Sequence, residues 1–264
     1  MSFDRSQYIK QPSPIEAELK TLFKHNAPLV IFEIGSCEGE DSIKYSRLFP
    51  NASIFSFEPL PDNIELIEKN ILKYGVNNIL VFNKAVSSGN GTADFFVSSG
   101  RPENAIDSDW DYGNKSSSLL APANHKQLVN FIKFERKIKI ETITLKSFCL
   151  ANNINHIDFV HMDVQGAELM VLEGAEDFIE SIKIIWLEVS KLDIYKDQPL
   201  AYDIAVFMKK NNFVLFKDQL YDIQGDQLYI SNNYYSKRKI ILLKKLVAAK
   251  YLFNRLLGKF SLNQ

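Results

Sequence analysis

At 264 residues, 46% of them hydrophobic, the chain can bury one large core, and a single elaborated domain is expected rather than two. Its 31 Lys and Arg against 32 Asp and Glu leave a net charge of −1, which excludes a general attraction to nucleic acid. Cys37 and Cys149 lie far apart with no zinc spacing, no apolar run is long enough to span a bilayer, and the opening Met1-Ser2-Phe3-Asp4-Arg5 carries no cleavage signal. A soluble chain of a reducing, cytoplasmic compartment is expected.

Residues 1–28 form an N-terminal segment that starts polar and then places Ile15, Leu19, Leu22 and Phe23 at helical spacing. A first strand is expected from Leu29 to Ile34, breaking at Gly35-Ser36-Cys37-Glu38-Gly39 into a helix from Glu40 to Leu48. Gly35 and Gly39 remove side chains where a ligand would approach the backbone, although a structural turn accounts for two glycines equally well. A second strand, Ser53 to Phe57, delivers Glu58-Pro59, with Glu58 twenty-five residues after Glu33. In α/β nucleotide folds an acid at that point accepts hydrogen bonds from ribose hydroxyls, so the pair of motifs points to an adenosine-containing ligand.

A helix follows from Pro61 to Gly75, with Pro near its start and Gly at its end, then a strand from Ile79 to Phe82 leading into Lys84 and Ala85. The turn Ser87-Ser88-Gly89-Asn90-Gly91 introduces an added strand, Thr92 to Val97. Residues 98–137 are the least regular part, and loops of this length in a compact domain are commonly functional. Trp110 and Tyr112 there suit a substrate-contacting cap, since flat aromatic surfaces line sugar sites; a cap packed on itself explains any single residue equally well.

Lys137 to Ile143 alternates as an exposed or edge strand, Leu145 to Ala151 reads as a helix, and Ile157 to Met162 is a strand that ends on Asp163. Val164-Gln165-Gly166-Ala167-Glu168 opens the next helix, Ile182 to Val189 is a strand carrying Glu188, and Phe213–Phe216 with Leu228–Ile230 complete the sheet. Four strands thus bring an acid toward one edge, Glu33, Glu58, Asp163 and Glu188, and open α/β sheets bind ligands along that edge. The last segment, 236–264, holds eight Lys and Arg and no acid, with Leu242, Leu246, Ala249, Phe253, Leu257 and Phe260 at helical spacing. Such a basic amphipathic helix can dock on an anionic membrane surface or a partner helix; packing on its own domain or a dimer mate is slightly preferred.

These residues resemble those of the FkbM-type methyltransferases, S-adenosylmethionine-dependent enzymes with the class I, Rossmann-like seven-stranded α/β sheet covered by helices on both faces. The resemblance spans roughly 29–190. Its most specific element is Met162-Asp163-Val164-Gln165-Gly166-Ala167-Glu168-Leu169 with Glu173-Gly174-Ala175, followed by Phe57-Glu58-Pro59 with Asn63 and Asn70, and by Glu33-Ile34-Gly35 with Gly39. It implies a methyltransferase domain over 29–235 with 98–137 as its cap. It further implies Glu33, Gly35, Ser36 and Gly39 around the methionine part of the cofactor, Glu58 with Pro59 at the ribose, Lys84-Ala85 beside the adenine, and Asp163 facing the sulfonium or the acceptor. Cys37 stands where the family commonly has asparagine, Gln165 where it has glutamate, and His161 where lysine is frequent.

Because the sulfonium is already activated, the protein has to position the acceptor and take its proton. His161, two residues before Asp163 and on the same strand face, is a candidate base, against the alternative of a satisfied strand histidine. Asp163, Glu188 and Glu168 are further candidates. No resident metal is expected, with a pairing of Asp163 and Glu188 left open. The expected acceptor is a sugar hydroxyl, free or nucleotide-linked, in surface polysaccharide, capsule or glycoside biosynthesis. Alternatives are a phosphate or phosphoramidate oxygen on a capsule precursor, nicotinamide-dependent oxidation, and a non-catalytic adaptor at the inner membrane face that works through the C-terminal helix.

Overall fold

A computed structural model describes residues 5–103, 111–124 and 130–260, with side chains described within 8–252. In chain order the elements are α1 (Arg5–Lys10), α2 (Glu16–Leu22), β1 (Val30–Ile34), α3 (Glu40–Leu48), β2 (Ser53–Phe57), α4 (Pro61–Tyr74), β3 (Ile79–Phe82), β4 (Ala85–Val86) and β5 (Gly91–Ser99). They continue as β6 (Lys133–Ile143), α5 (Leu145–Ala151), β7 (Ile157–Met162), α6 (Glu168–Glu173), β8 (Ile182–Ser190), α7 (Ala201–Lys210), β9 (Phe213–Asp218), β10 (Gln224–Ser231) and α8 (Lys237–Phe260). Short 3-10 turns lie at Asn114–Ser116 and Glu176–Ser181.

Seven strands form one sheet in the order β3-β2-β1-β7-β8-β10-β9, all parallel except β10, which runs against both of its neighbours. This is the sheet topology expected of a class I methyltransferase. The central strands read as unbroken β-branched and aromatic runs because both of their faces are covered. Phe32, Val160, Ile185 and Leu187 pack with α5, α6 and α7 through Phe148, Leu172 and Ile204 on one side. Ile31, Phe159, Ile184 and Trp186 pack with α2, α3 and α8 through Leu19, Tyr45 and Leu243 on the other. Pro61 opens α4 in the position where the missing N–H costs nothing, and Gly75 closes it at φ 63°.

Several elements differ from the sequence expectation. The N-terminal segment gives two short helices, α1 and α2, separated at Pro12-Ser13-Pro14, where two prolines remove donors and push their neighbours out of helical geometry. The expected edge strand near Lys137 starts at Lys133 and is the middle strand of a second, three-stranded sheet, β4-β6-β5. Its second partner, Ala85–Val86, is too short to read as a strand. Helix α7 follows Leu200, whose N–H donates to Asp203 Oδ2 at 2.8 Å, and buries Ile204 and Met208; no strand or turn signal had announced it.

On α8 the stripe buried against the body is Ile240, Leu243 and Val247; Leu242, Leu246 and Ala249 are exposed, the last two along an open groove beside α2. Apolar residues occur on more than one face of this helix, so periodicity cannot select the packed one; the choice is made by the surface left by Ile15, Leu19 and Phe216. Phe253, Leu257 and Phe260 of the expected stripe, and Trp110 of the expected cap, fall outside the described side chains.

Candidate functional site

The strand order reverses between β1 and β7: β2 and β3 lie beyond one, β8 beyond the other. Ligands of open α/β sheets bind at such a switch point, outside the carboxyl ends of the strands. Here the two strand ends touch. Asp163 N–H donates to Ile34 O at 3.0 Å, and a Cβ on Gly35, whose φ is +85°, would lie 2.0 Å from Asp163 O. Gly35 is therefore required by the close approach of two backbones rather than by a ligand. Gly39 caps α3 at φ 74°, and its missing Cβ would meet Ile67 at 3.0 Å. Ser36 is buried and turned into the strand junction, where its hydroxyl donates to Phe57 O and receives Ser56 Oγ at 2.6 Å.

A cavity of about 520 Å³, open mouth included, lies on this edge. Of the residues expected at a cofactor, Gly35, Glu58, Pro59, Lys84, Ala85 and Asp163 line it, among apolar walls from Ile34, Phe57, Val86, Phe95 and Leu119. Glu58 is held before any ligand arrives: its Oε2 accepts from Cys37 N–H at 2.8 Å, and its Oε1 from Leu60 N–H at 2.9 Å and Asn63 Nδ2 at 3.2 Å. Burial pushes its carboxyl up to about 7 against the opposing pull of these donors. Lys84 pairs with Glu141 across the small sheet.

Asp163 and Glu188 are joined by one amide: Gln165 Nε2 donates to Asp163 Oδ1 at 2.6 Å and to Glu188 Oε2 at 3.1 Å. Glu168, buried, accepts from Val164 and Gly166 N–H at 3.1 and 3.3 Å, and burial raises it to about 7. Desolvation, then the neighbouring acids, holds Glu188 well above the usual carboxylate range, and desolvation raises Asp163 as well. Asp163, Glu168 and Glu188 each offer an oxygen, all within 4.8 Å of one another, a set that suits a hard cation as well as it suits the amide that bridges two of them.

His161 sits beside this group, not in the cavity lining. It pairs in register with Glu33, and its Nδ1 lies 3.2 Å from Tyr45 OH. Glu33, Asp41 and His161 place their polar atoms within 4.8 Å of one another. Glu33 accepts from Ser42 Oγ, and burial, then repulsion by Asp41 and Glu40, drives its carboxyl up. Burial lowers His161 despite the nearby Asp41. Asp41 in turn accepts from Tyr8 of α1 at 3.0 Å, which closes the N-terminal helix over this side.

The segment 114–119, within the 98–137 stretch expected to cap the site, forms the opposite wall of the cavity, although none of its residues was singled out from the sequence. Asn114, Lys115, Ser117 and Leu119 all face the cavity. Lys115 Nζ pairs with Glu40 at 2.8 Å, and Asn114 Nδ2 donates to Glu38 at 2.8 Å. Ser118 Oγ donates to Gln165 O at 2.8 Å, while Tyr195 OH donates to Ser116 O at 2.7 Å and lies 3.0 Å from Gln165 Oε1. Tyr195 is thus a latch between this segment and the Asp163 loop. Cys37 and Gln165, on either side of the cavity, adopt positive φ of 49° and 55°, as do Asn153, Glu176, Asp197 and Asn212 elsewhere.

These residues suit a nucleoside-bearing sulfonium: a fixed carboxylate for two hydroxyls, apolar walls for a base, and acids beside the place where a cation would sit. The buried Asn114 Oδ1, an acceptor without a partner among the described residues, adds a polar contact point in that wall.

Comparison with known proteins agrees. The methyltransferase FkbM domain model matches residues 33–215. The chain is 31% identical over 200 residues to the 2-O-methyltransferase NoeI of Sinorhizobium fredii, covering 75% of this chain and 78% of NoeI. It is 22% identical over 197 residues to the hexuronic acid methyltransferase AglP of Haloferax volcanii, covering 72% and 71%. Among solved structures, Aeropyrum pernix fibrillarin matches at 10% identity and a TM-score of 0.44 over 84% of this chain and 76% of that one.

Proposed function

Because the chain belongs to the methyltransferase FkbM family and its cofactor is S-adenosylmethionine, we propose that it methylates a hydroxyl of a sugar or sugar-linked acceptor in polysaccharide or glycoside biosynthesis. The observation that carries this reading is the single cavity in which Glu58, Gly35 and Asp163 of the sheet edge meet Asn114, Lys115, Ser117 and Leu119. One wall suits a nucleoside. The other carries a cation, an amide and a hydroxyl, the donors and acceptors that a polyol needs. The activities of NoeI, a 2-O-methyltransferase, and AglP, a hexuronic acid methyltransferase, favour oxygen on a sugar as the acceptor.

The bound cofactor supplies an activated methyl group, so the chain's own task is placement and removal of one proton. Glu58 would hold the ribose hydroxyls, Lys84 and Ala85 would flank the base, and the loop 35–37 would carry the methionine end. Asp163 is the acid in the cavity wall and takes the acceptor's hydroxyl proton; Gln165 fixes its carboxylate through the 2.6 Å hydrogen bond. His161 acts behind it, held by Tyr45 and within 4.8 Å of Asp41, as a positioning group.

The test is release of S-adenosylhomocysteine with a panel of free and nucleotide-linked hexoses and hexuronates. Turnover with a member bearing a free ring hydroxyl, abolished by blocking that hydroxyl, is expected. Turnover only with sugar phosphates or phosphoramidates moves the acceptor to a phosphorus-bound oxygen, and no turnover with any hydroxyl overturns the reading.

A further inference from the structure

Helix α8 has two apolar faces. Ile240, Leu243 and Val247 are buried against α2 and the sheet. On other sides Ile241, Leu242, Leu246 and Leu252 stand 56%, 57%, 46% and 60% exposed. Single exposed leucines need no explanation, but four on sixteen residues of one helix form a patch of the kind that marks an interaction site. Arg238, Lys239 and Lys245 are exposed as well, the first and last falling between these apolar side chains around the helix and Lys239 beside Leu246.

Charge says what covers it. Residues 237–264 hold eight of the chain's 31 cationic residues and none of its 32 acids, so the rest of the chain carries 23 cations against 32 acids. A basic helix thus lies on an acidic body. A second copy would set one cationic helix against the other. A polyanion such as RNA would meet the lysines and leave the leucines in water. An anionic bilayer satisfies both, taking apolar side chains below its headgroups and pairing lysines with them.

The helix also runs the right way. Lys244 Nζ donates to Leu215 O within β9, and one turn or two later Tyr251 OH meets Lys217 Nζ at 3.3 Å near the carboxyl end of that strand. From Lys237 onward α8 therefore climbs toward the edge on which the cavity opens. No helix among the described residues is long and apolar enough to cross a membrane.

We infer that α8 docks this protein on an anionic lipid surface through Ile241, Leu242, Leu246, Leu252 and the flanking Arg238, Lys239 and Lys245. Docking is independent of the acceptor that the cavity takes.

The full chain is tested by cosedimentation with vesicles of phosphatidylcholine and with an equimolar mixture of phosphatidylcholine and phosphatidylglycerol. The wild type should bind the mixed vesicles, with little binding to phosphatidylcholine, and lose affinity as salt is raised. Two variants leave the buried stripe intact, Leu242→Glu with Leu246→Glu and Arg238→Glu with Lys245→Glu. Each should weaken binding by at least about tenfold while thermal midpoint and S-adenosylhomocysteine affinity stay unchanged. The inference is overturned if the wild type remains in the supernatant with the mixed vesicles, or if both variants bind as it does. It is also overturned if the wild type is a dimer that Leu242→Glu with Leu246→Glu splits, which would put a second copy on this face.

Discussion

Replacing Gly35 with alanine tests whether the contact between β1 and β7 shapes the cavity. The new Cβ would stand 2.0 Å from Asp163 O and 2.9 Å from its carbonyl carbon, at φ +85°. A carbon and a carbonyl oxygen need about 3.3 Å, so the Asp163 loop must retreat by roughly 1.3 Å. The left-handed backbone costs an alanine roughly 1–2 kcal/mol, and weakening of the Asp163 N–H to Ile34 O bond costs about 1 kcal/mol more. A loss of about 2–3 kcal/mol corresponds to a fall of roughly 4–12 °C in a domain of this size. Gly39→Ala is the control: it carries the same backbone cost at φ +74°, but its Cβ meets only the Ile67 side chain at 3.0 Å. Calorimetry and titration with S-adenosylhomocysteine on both variants make the comparison. Gly35→Ala should lose affinity by at least about tenfold because the cavity wall shifts with the displaced backbone of the Asp163 loop, and Gly39→Ala by much less. Equal destabilisation of the two, or an unchanged affinity in Gly35→Ala, would refute the reasoning.

Three further outcomes are expected. Glu58 is raised to about 7 in the fold from an ordinary value near 4.5, so its ionised form opposes folding and the ligand-free protein should gain stability as pH falls from about 7 toward 4.5. Ribose hydroxyls prefer the ionised form, so S-adenosylhomocysteine affinity should fall over the same range by up to about tenfold per pH unit; Glu58→Gln should weaken binding and flatten that profile. Asp163→Asn should lower kcat by about a hundredfold or more with little change in S-adenosylhomocysteine affinity, and His161→Phe by less; the reverse order would move the base to His161. Lys115→Met leaves the buried Glu40 without its ion-pair partner and should cost about 1–3 kcal/mol in urea unfolding, much of it recovered by adding Glu40→Gln; no recovery would mean that Lys115 acts elsewhere.

Much of the frame was readable from residues alone. Unbroken apolar runs such as Ile31-Phe32 and Ile184-Ile185-Trp186 report strands covered on both faces. Pro61 and Gly75 bracket α4 with the residues that each helix end requires. Acids at the strand ends, Glu58 above all, announce the ligand edge because a buried carboxylate without a purpose is costly. The Asp163 to Glu168 segment was legible as a motif and as the opening of a helix; that Gly166 takes φ 93° there is seen only in the structure.

What stayed hidden depends on contacts between residues distant in sequence. Gly35 could be read as making room for a ligand, and only the approach of Asp163 shows that the room is taken by another strand. Tyr195 and Lys115 carry no pattern; they become site residues because a latch to Gln165 and an ion pair with Glu40 fold the 114–119 segment over the sheet edge. On α8, periodicity offered several apolar faces, and the one that packs was chosen by the surface of α2 and the sheet, which lie over two hundred positions earlier in part. Sequence determined which strands are buried, where helices start and stop and which edge holds the acids, since these follow from local sterics and burial. Tertiary structure decided which side chains meet in the cavity and which face of α8 is left outside, since those are properties of surfaces that exist only once the chain has folded.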